Sequence, residues 1–465
     1  MFWLNCADGR DELPFLIDGD ETLSYAQLFQ SSDDLFSSYK RGVVAILCGR
    51  NRETITAYIG ALRHRHIPLL LNNDLPDKQL YNLLSLYKAD YLFAPSDRSF
   101  HAYAAVSAYH SYTLSEYVTD KTVPAPHSDL AMLIPTSGST GDPKCVRLSH
   151  RNIESCTQSI ITYLSLDSQR RAVSLLPLHY SYGLSVLNSI VGARGSYLLS
   201  LHSPLTRSFW ADIVNFGVTD FSAVPFIFES LKRMRFSEEI LSSLKVVTQA
   251  GGRLTPSLTS HFQSLFSQHG IRYFTMYGQT EASPRIAYLR PEDAVRKAGS
   301  VGKALDIGSV SISSEQRVED EGELIYSGPN VCLGYANNRD DLAKGDDFCG
   351  VLHTGDLARI DNEGFIFITG RLKRVVKVNG VSVNLDFIQS RLQDLGYAVY
   401  VVGVDDRVYL AVEADEIAPV LNSAKTEFDF HGTVWQAKQF EAIPRTAAGK
   451  PDYVSLQAAF MKDHR

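Results

Sequence analysis

The segment over residues 136–144, Thr-Ser-Gly-Ser-Thr-Gly-Asp-Pro-Lys, is the part of this sequence best suited to bind an anion. Glycine lets backbone N–H groups approach a ligand closely, the hydroxyl groups add donors, and the lysine adds a positive charge. No G-x-x-x-x-G-K-[ST] string can be read here, so the segment is not a Walker loop. We predict a polyphosphate-binding loop, with a surface linker rich in serine and glycine as the alternative. Its candidate binding residues are Thr136, Ser137, Gly138, Ser139, Thr140, Gly141 and Lys144.

Four further motifs follow this loop along the chain. They are Tyr277-Gly-Gln-Thr-Glu281, His353-Thr-Gly-Asp356, Gly370-Arg371 and Pro444-Arg-Thr-Ala-Ala-Gly-Lys450. In this order, the five motifs resemble the acyl-adenylate-forming superfamily, which comprises acyl-CoA synthetases, peptide-synthetase adenylation domains and firefly-type luciferases. The resemblance covers roughly residues 23–450. It implies a reaction in which a carboxylate attacks the α-phosphorus of ATP and expels pyrophosphate.

The resemblance implies a nucleotide site around the second motif. The loop would contact the β- and γ-phosphates, and Thr280 would hydrogen-bond the α-phosphate. Glu281 would be the ligand of Mg²⁺, because a hard cation that bridges phosphates prefers oxygen donors. Tyr277 would stack on the adenine, with Gly251 in a flat backbone wall. Without the other motifs, this stretch would be interpreted as a polar turn with a surface glutamate. The set of nucleotide-binding residues is completed by Gly278 and Gln279.

Three charged residues complete the implied site. Asp356 can accept both ribose hydroxyls, since an ionised carboxylate has two acceptor oxygens and no donor. Arg371 can reach the ribose or the phosphate. Lys450 would bridge the substrate carboxylate and the α-phosphate, where its ammonium offsets the charge that builds at phosphorus. The alternatives are an ordinary turn at Asp356 and a solvated charge near the C-terminus at Lys450.

The resemblance also locates the acid-binding segment at residues 177–184, Pro-Leu-His-Tyr-Ser-Tyr-Gly-Leu. Many acyl-CoA synthetases place a histidine where this chain has Tyr180, whereas here the histidine is His179, so either ring could serve. Ser181 occupies the position of the aspartate that pairs with the ammonium group in amino-acid-activating relatives. A serine carries no charge, so we expect an acid without an α-amine. Gly252 is expected to line the same pocket.

Short apolar strands alternate with helical stretches, which is typical of an α/β fold. Strands are predicted at residues 43–47, 67–71, 91–94, 173–176, 221–224 and 245–249, with a helix over residues 52–63 and another near residue 149. We predict a large N-terminal multi-sheet α/β domain over residues 1–370 and a small, mobile C-terminal α+β domain over residues 371–465. The resemblance places the hinge at Lys373, and a solvated basic hairpin is the alternative.

Composition limits the remaining function classes. The chain has 465 residues, 45% of them hydrophobic, and a net charge of −7 that speaks against broad nucleic-acid binding. No apolar run reaches the length of a membrane span, and no basic lead-in marks a signal peptide, so we expect a cytoplasmic protein. The six cysteines form no C-x-x-C pair and are interpreted as buried thiols. No H-E-x-x-H is present, which argues against zinc.

The predicted function is an ATP- and Mg²⁺-dependent ligase. It would convert a carboxylic acid, expected to be a fatty or other non-amino acid, into acyl-AMP and pass the acyl group to a thiol. That thiol belongs either to coenzyme A or to the phosphopantetheine arm of an acyl carrier protein. The alternatives are a degenerate homologue that binds the adenylate without turnover, a free-standing amino-acid adenylation enzyme, and luciferase-like oxygenation of the adenylate.

Overall fold

The structure is a computed structural model that describes residues 1–5, 9–118, 123–136, 144–313, 321–378, 380–413, 416–428, 430–446 and 450–462. The helices are α1 Tyr25–Phe36, α2 Arg52–Arg63, α3 Asp77–Tyr87, α4 His150–Leu164, α5 Ser181–Ala193, α6 Arg207–Asn215, α7 Pro225–Leu231, α8 Glu238–Ser243, α9 Pro256–Gln268, α10 Leu385–Asp394, α11 Ile417–Glu427 and α12 Tyr453–Lys462. The strands are β1 Pro14–Asp18, β2 Glu21–Ser24, β3 Val43–Cys48, β4 Ile67–Asn72, β5 Tyr91–Pro95, β6 Tyr103–Tyr109, β7 Tyr112–Tyr117, β8 Leu130–Thr136, β9 Lys144–Ser149, β10 Arg171–Val173, β11 Ser196–Leu199, β12 Asp220–Ala223, β13 Val246–Gln249, β14 Arg272–Tyr277, β15 Ala287–Leu289, β16 Lys303–Ala304, β17 Ser309–Ile312, β18 Gly322–Ser327, β19 Gly334–Ala336, β20 Val351–Ile360, β21 Ile366–Arg371, β22 Val375–Val378, β23 Val381–Asn384, β24 Val399–Val404, β25 Arg407–Val412 and β26 Trp435–Gln439.

Two large mixed sheets dominate the part before residue 371. One has eight strands in the order β19-β9-β8-β4-β3-β5-β7-β6, and the other has nine in the order β16-β15-β14-β13-β12-β10-β11-β1-β2. Apolar side chains from α1, α2 and α5 fill the space between the sheets, while α3 covers the outer face of the first and α6–α9 that of the second. The central parallel strands are buried on both faces, which explains why they read as continuous apolar runs.

Local sequence signals explain where the central helices begin. The Asn51 side chain accepts a hydrogen bond from the Thr54 backbone N–H at 3.0 Å and so caps α2. Ser149 and Asn152 form a capping box at the start of α4. The Asn152 amide also donates to the carbonyl of Val331 at 2.6 Å, which fastens α4 to the segment before β19. The N-terminal ends of α2 and α4 are therefore fixed by side-chain hydrogen bonds.

The four-stranded sheet β17-β18-β20-β21 leads into the C-terminal part of the chain. After it come the hairpin β22-β23 and the sheet β24-β25-β26, whose two faces carry separate apolar clusters against α10 with α11 and against α12. A single 3₁₀ turn, Leu372–Arg374, joins β21 to β22. The predicted fold class, a multi-sheet α/β part followed by a small α+β part, is confirmed.

Most predicted elements are confirmed within one or two residues, but two expectations need correction. The strand predicted at residues 173–176 is β10 and ends at Val173, because the chain turns there and the Leu175 N–H donates to the Val173 carbonyl at 3.0 Å. The helix predicted near residue 149 is α4, and β9, which was not predicted, lies between the glycine-rich loop and this helix. Cys349 is exposed at a turn with φ of 50°, whereas Cys48, Cys145, Cys156 and Cys332 are buried as expected.

None of the helices that the described residues form is long and apolar enough to cross a membrane.

Candidate active site

Asp356 lies at the centre of a buried hydrogen-bond network. Tyr277 donates its hydroxyl to Asp356 Oδ2 at 2.5 Å, and Gln279 Nε2 donates to the same oxygen at 2.9 Å. Arg371 Nε donates to Asp356 Oδ1 at 3.1 Å from the neighbouring strand β21, where the two residues are in register. Burial and the Asp356 carboxylate raise the pKa of Tyr277 well above its usual value, so its hydroxyl remains a donor. Two carboxylate oxygens offer about four acceptor positions, so Asp356 retains capacity for a ligand hydroxyl.

Glu281 is held by a side chain that the sequence motifs did not single out. Tyr335, on β19, donates its hydroxyl to Glu281 Oε1 at 2.8 Å. Lys144 Nζ lies 3.4 Å from the centroid of the Tyr335 ring, which gives a cation–π contact. Burial, followed by the charge of Glu281, raises the pKa of Tyr335. Lys144, Tyr335 and Glu281 therefore form a chain of contacts from the end of the glycine-rich loop to the candidate magnesium ligand.

Glu281 is not part of a larger cluster of metal ligands. Among the described residues, no group of three or more His, Cys, Asp or Glu side chains could hold a metal ion. Mg²⁺ commonly binds through one or two carboxylates together with substrate phosphates and water. The single carboxylate fits a metal that arrives with a nucleotide.

Tyr180 and Ser181 begin α5 beside the same network. Ser181 Oγ lies 3.0 Å from Thr280 Oγ1. The Tyr180 hydroxyl lies so close to Gly251 that a Cβ at that glycine would approach it to 2.7 Å, and Gly251 itself has a φ of +88°. Both the close approach and the left-handed backbone require glycine at this position. The wall predicted around Gly251 is thus adjacent to Tyr180, and Gly252 beside it packs near Pro225.

Of the two rings considered for the acid pocket, Tyr180 is in this wall, and the half-buried His179 lies next to it in sequence. His179 Nδ1 is buried without a hydrogen-bond partner among the described residues, and burial lowers the pKa of His179. The charge of Asp74 acts on the pKa of His179 in the opposite direction. Tyr180 contacts the wall at Gly251, and the role of either ring in binding the acid remains a prediction.

Lys450 reaches this site from the C-terminal part of the chain. Its Nζ lies 5.8 Å from the centroid of the Tyr180 ring. The side chain remains accessible to solvent, but the protein around it and the charge of Arg371 lower the pKa of Lys450, whereas Asp356 and Glu281 raise it. The ammonium group thus lies within electrostatic reach of both candidate carboxylates.

The side chains of two arginines hold the C-terminal part against the rest of the chain in this arrangement. Arg253 hydrogen-bonds Ser390 on α10. The guanidinium of Arg445 lies 4.7 Å from the centroid of the Phe226 ring and 3.8 Å from a carboxylate oxygen of Glu229. They fix the approach of the segment that carries Lys450.

The remaining predicted residues are placed as follows. Thr136 and Lys144 are in register at the ends of β8 and β9, whereas Ser137, Gly138, Ser139, Thr140 and Gly141 lie outside the described residues. Gly278 lies where a Cβ would approach the Pro284 carbonyl oxygen far inside contact distance, so the chain folds back tightly after this motif. Lys373 is within the 3₁₀ turn that precedes β22.

The motifs did not single out Tyr335 or Arg285. Tyr335 follows Gly334 in an unremarkable strand, and only the folded pairing of β19 with β9 brings it to Glu281. Arg285 lies four residues after Glu281 and is 2% exposed. The closeness of this arginine to the second motif was the one sequence signal that could have marked it as a candidate site residue.

Comparisons with known proteins agree with this geometry. The sequence model of the family described as AMP-binding enzyme matches residues 4–336, more than two thirds of the chain. A probable CoA ligase of Humulus lupulus is 25% identical over 495 aligned positions, which cover 96% of this chain and 93% of that protein. An oxalate–CoA ligase of Saccharomyces cerevisiae is 27% identical over 77% of this chain and 69% of its own length. Several further CoA ligases align over 48% to 58% of their lengths.

Solved structures give the same picture over nearly the whole chain. The o-succinylbenzoate coenzyme A synthetase of Bacillus subtilis, in complex with ATP and magnesium ion, has a TM-score of 0.78 and 25% sequence identity. The superposition covers 96% of this chain and 97% of that one, so the similarity extends through the part that carries Lys450.

Proposed function

The chain belongs to the AMP-binding enzyme family, and on this premise we propose that it converts a carboxylic acid and ATP into acyl-AMP and then into an acyl-CoA thioester. The predicted family and enzyme class, an AMP-forming acid–thiol ligase, are confirmed by the family match and the relatives. ATP, Mg²⁺ and coenzyme A are the cofactors of this reaction. The acid, the roles of individual residues and the cytoplasmic location remain predictions.

The observation that carries the proposal is the position of Lys450. A lysine near the C-terminus would ordinarily be solvated, but this one lies over Tyr180 and within reach of Asp356 and Glu281. An ammonium there can offset the charge of the attacking carboxylate and of the α-phosphate as the pentavalent state forms. A degenerate homologue would need no such arrangement.

The other residues are assigned roles that follow from their contacts. Asp356, oriented by Tyr277, Gln279 and Arg371, keeps an acceptor position for a ribose hydroxyl. Glu281, held through one oxygen by Tyr335, would coordinate Mg²⁺. Ser137, Gly138, Ser139, Thr140 and Gly141 remain predicted phosphate contacts, together with Thr136 and Lys144.

We assign residues 1–370 and 371–465 to two domains that rotate about Lys373. The support is that the apolar clusters of the C-terminal sheet contain only residues from Val376 onward. The alternative acceptor, the phosphopantetheine arm of a carrier protein, needs the same rotation. The relatives are named as CoA ligases, so coenzyme A is the acceptor that we propose.

The experiment that tests the function is pyrophosphate release against a panel of fatty, aromatic, dicarboxylic and amino acids. We expect acid-dependent release, and acyl thioester only when coenzyme A is added. Thioester formation with carrier proteins but not with coenzyme A would overturn the acceptor. Nucleotide binding without release for any acid would favour the degenerate homologue.

Glu281→Gln should weaken the response to magnesium. A neutral amide is a poorer ligand for a hard cation, so the Mg²⁺ concentration for half-maximal activity should rise by about tenfold. Glu292→Gln, an exposed carboxylate outside the site, is the matched control. A titration curve identical to that of the wild type would remove Glu281 as the metal ligand.

The preferred acid should lack an α-amine. Ser181 offers no charge and is occupied with Thr280, and an unpaired buried ammonium would cost several kcal/mol. Assays of amino acids beside their des-amino analogues should favour the analogues. Faster turnover of the amino acids would contradict the proposal and would support the amino-acid adenylation enzyme.

A further inference from the structure

Beyond Tyr180, the fold encloses a small internal cavity between α4, α5 and the strands β12 and β13. Its wall is rich in hydroxyl groups, several of which bond to one another. The Tyr182 hydroxyl lies 2.7 Å from Thr248 Oγ1, which lies 2.8 Å from Ser222 Oγ. The residues that line the cavity include Tyr163, Tyr182, Asp220, Ser222, Thr248 and Arg285.

Arg285 differs from the other buried arginines in its partners. Among the residues that the structure describes, four arginines are no more than 4% exposed. Arg147 binds Asp347 at 2.5 Å, Arg194 binds Asp11 at 3.2 Å, and Arg339 binds Asp90 at 2.9 Å. Arg285 has no ion pair with any described carboxylate, and its Nε has no hydrogen-bond partner among the described residues. A guanidinium stays charged in a protein, so this charge is buried without a counter-ion.

The acidic residue in the cavity wall, Asp220, is not the counter-ion of Arg285. Asp220 receives two hydrogen bonds from Arg170, one to each carboxylate oxygen, both at 2.9 Å. Its charge is therefore already matched.

Neutral groups surround Arg285. Its guanidinium carbon lies 5.3 Å from the centroid of the Tyr182 ring. Burial raises the pKa of Tyr182 to about 12 and that of Cys156 to about 11, and it raises the pKa of Tyr163 still further. At neutral pH no phenolate or thiolate therefore balances the guanidinium. A bound anion would supply the negative charge that the described residues around Arg285 do not.

The cavity and the proposed acid site adjoin along the chain, although Tyr180, Ser181 and Gly251 are not among the residues that line the cavity. Tyr182 follows Ser181 directly, and Arg285 acts electrostatically on the Tyr180 hydroxyl. Thr248 precedes Gly251 by three residues, which is about 10 Å along an extended chain. A compact acid whose reacting carboxylate lies near Lys450 could thus place a second group beside Arg285.

We propose that Arg285 binds a second carboxylate of the acid substrate, so that the enzyme selects dicarboxylic acids over monocarboxylic acids. This inference rests on the proposed function, because it names the class of acid that is activated. The cavity is small, which favours a carboxylate over a bulkier phosphate. Surrounding hydroxyls can hydrogen-bond the carboxylate oxygens that the guanidinium leaves free.

The test compares matched pairs of acids in the pyrophosphate-release assay. Each pair is a dicarboxylate of two to eight carbons and the monocarboxylate of equal length. A site built around a charged donor rejects the analogue that lacks its partner, so we expect wild-type kcat/KM to favour the diacid by at least about 100-fold. Equal or better turnover of the monoacids would overturn the inference while leaving the proposed function intact. Activation of no acid in either series or in the wider panel would contradict the proposed function, and this inference with it.

Variants connect the preference to Arg285. Arg285→Met should reduce kcat/KM for the diacid by about 100-fold and leave that for the monoacid unchanged or higher, whereas Arg285→Lys should keep part of the preference. Arg290→Met, an exposed arginine on the same segment, is the matched control and should retain it. If Arg285→Met does not fold, the diacid preference of the wild type and of Arg285→Lys in the paired assays decides whether Arg285 binds the second carboxylate. A diacid preference that survives in Arg285→Lys at full strength and in folded Arg285→Met would overturn the assignment.

Discussion

Lys450→Ala should reduce acid-dependent pyrophosphate release by about 100- to 1000-fold, the range expected when a preorganised charge is removed from a transition state. ATP binding should survive, because the nucleotide contacts proposed for Asp356, Tyr277 and Gln279 lie in the other part of the chain. A large loss of pyrophosphate release without a loss of ATP binding identifies a group that acts mainly in the transition state. Pyrophosphate release in stopped-flow assays and ATP affinity by calorimetry measure it.

The pH profile gives a second signature of the same residue. Lys450 must be protonated to act, so kcat/KM should be highest below its pKa and fall as the pH rises through it. Surrounding protein and Arg371 lower that pKa from the usual lysine value, so the fall should come at lower pH than for a solvated lysine. Lys450→Arg should shift the fall to higher pH. Lys425 is an exposed lysine on α11, so the pH profile of Lys425→Ala should match that of the wild type. Near wild-type pyrophosphate release by the Lys450→Ala enzyme would remove Lys450 from the mechanism.

The motifs predicted residues that the structure brings together around Asp356, because each motif groups its polar residues within a few positions of the sequence. Asp356 and Arg371 are fifteen residues apart, and the pairing of β20 with β21 brings them into register. The buried strands and α2 were equally readable, since apolar runs and the Asn51 cap are local signals.

Contacts between distant segments were not predictable in this way. Tyr335 follows Glu281 by 54 residues in the sequence, and the pairing of β19 with β9 brings the two side chains together. Arg285 became notable only once the structure showed that every other buried arginine has a carboxylate partner. The contact of Tyr180 with Gly251 likewise joins segments 71 residues apart, which sequence does not specify.

The position of Lys450 also has a consequence for the second half-reaction. In the proposed mechanism, the ammonium would lie close to the place where the thiol attacks the adenylate, and the contacts of Arg253 and Arg445 support the segment that carries it. An arrangement that favours adenylation thus restricts the approach of coenzyme A from the C-terminal side. We therefore expect the two half-reactions to need different orientations of residues 371–465, related by rotation about the turn at Leu372–Arg374.

Lys373→Pro should preserve adenylation and abolish most thioester formation. Proline fixes φ near −65°, which is compatible with the 3₁₀ turn in which Lys373 now lies. It prevents the backbone rotation at this residue that the second orientation would need. We expect a fall of about 100-fold in acyl transfer from preformed acyl-AMP to coenzyme A, with acid-dependent pyrophosphate release within about threefold of the wild type.

Lys373→Ala separates the backbone from the side chain in this test. It removes the ammonium but leaves φ free, so it should retain both half-reactions. Proline also disfavours helical angles at the preceding residue, here Leu372, and the adenylation rate itself reports whether the observed arrangement still forms. Equal loss of both half-reactions in a folded Lys373→Pro enzyme, or loss of neither, would contradict rotation at this residue. Loss of acyl transfer in Lys373→Ala as well would assign the effect to the lysine side chain, and the hinge would then have to lie elsewhere in the turn.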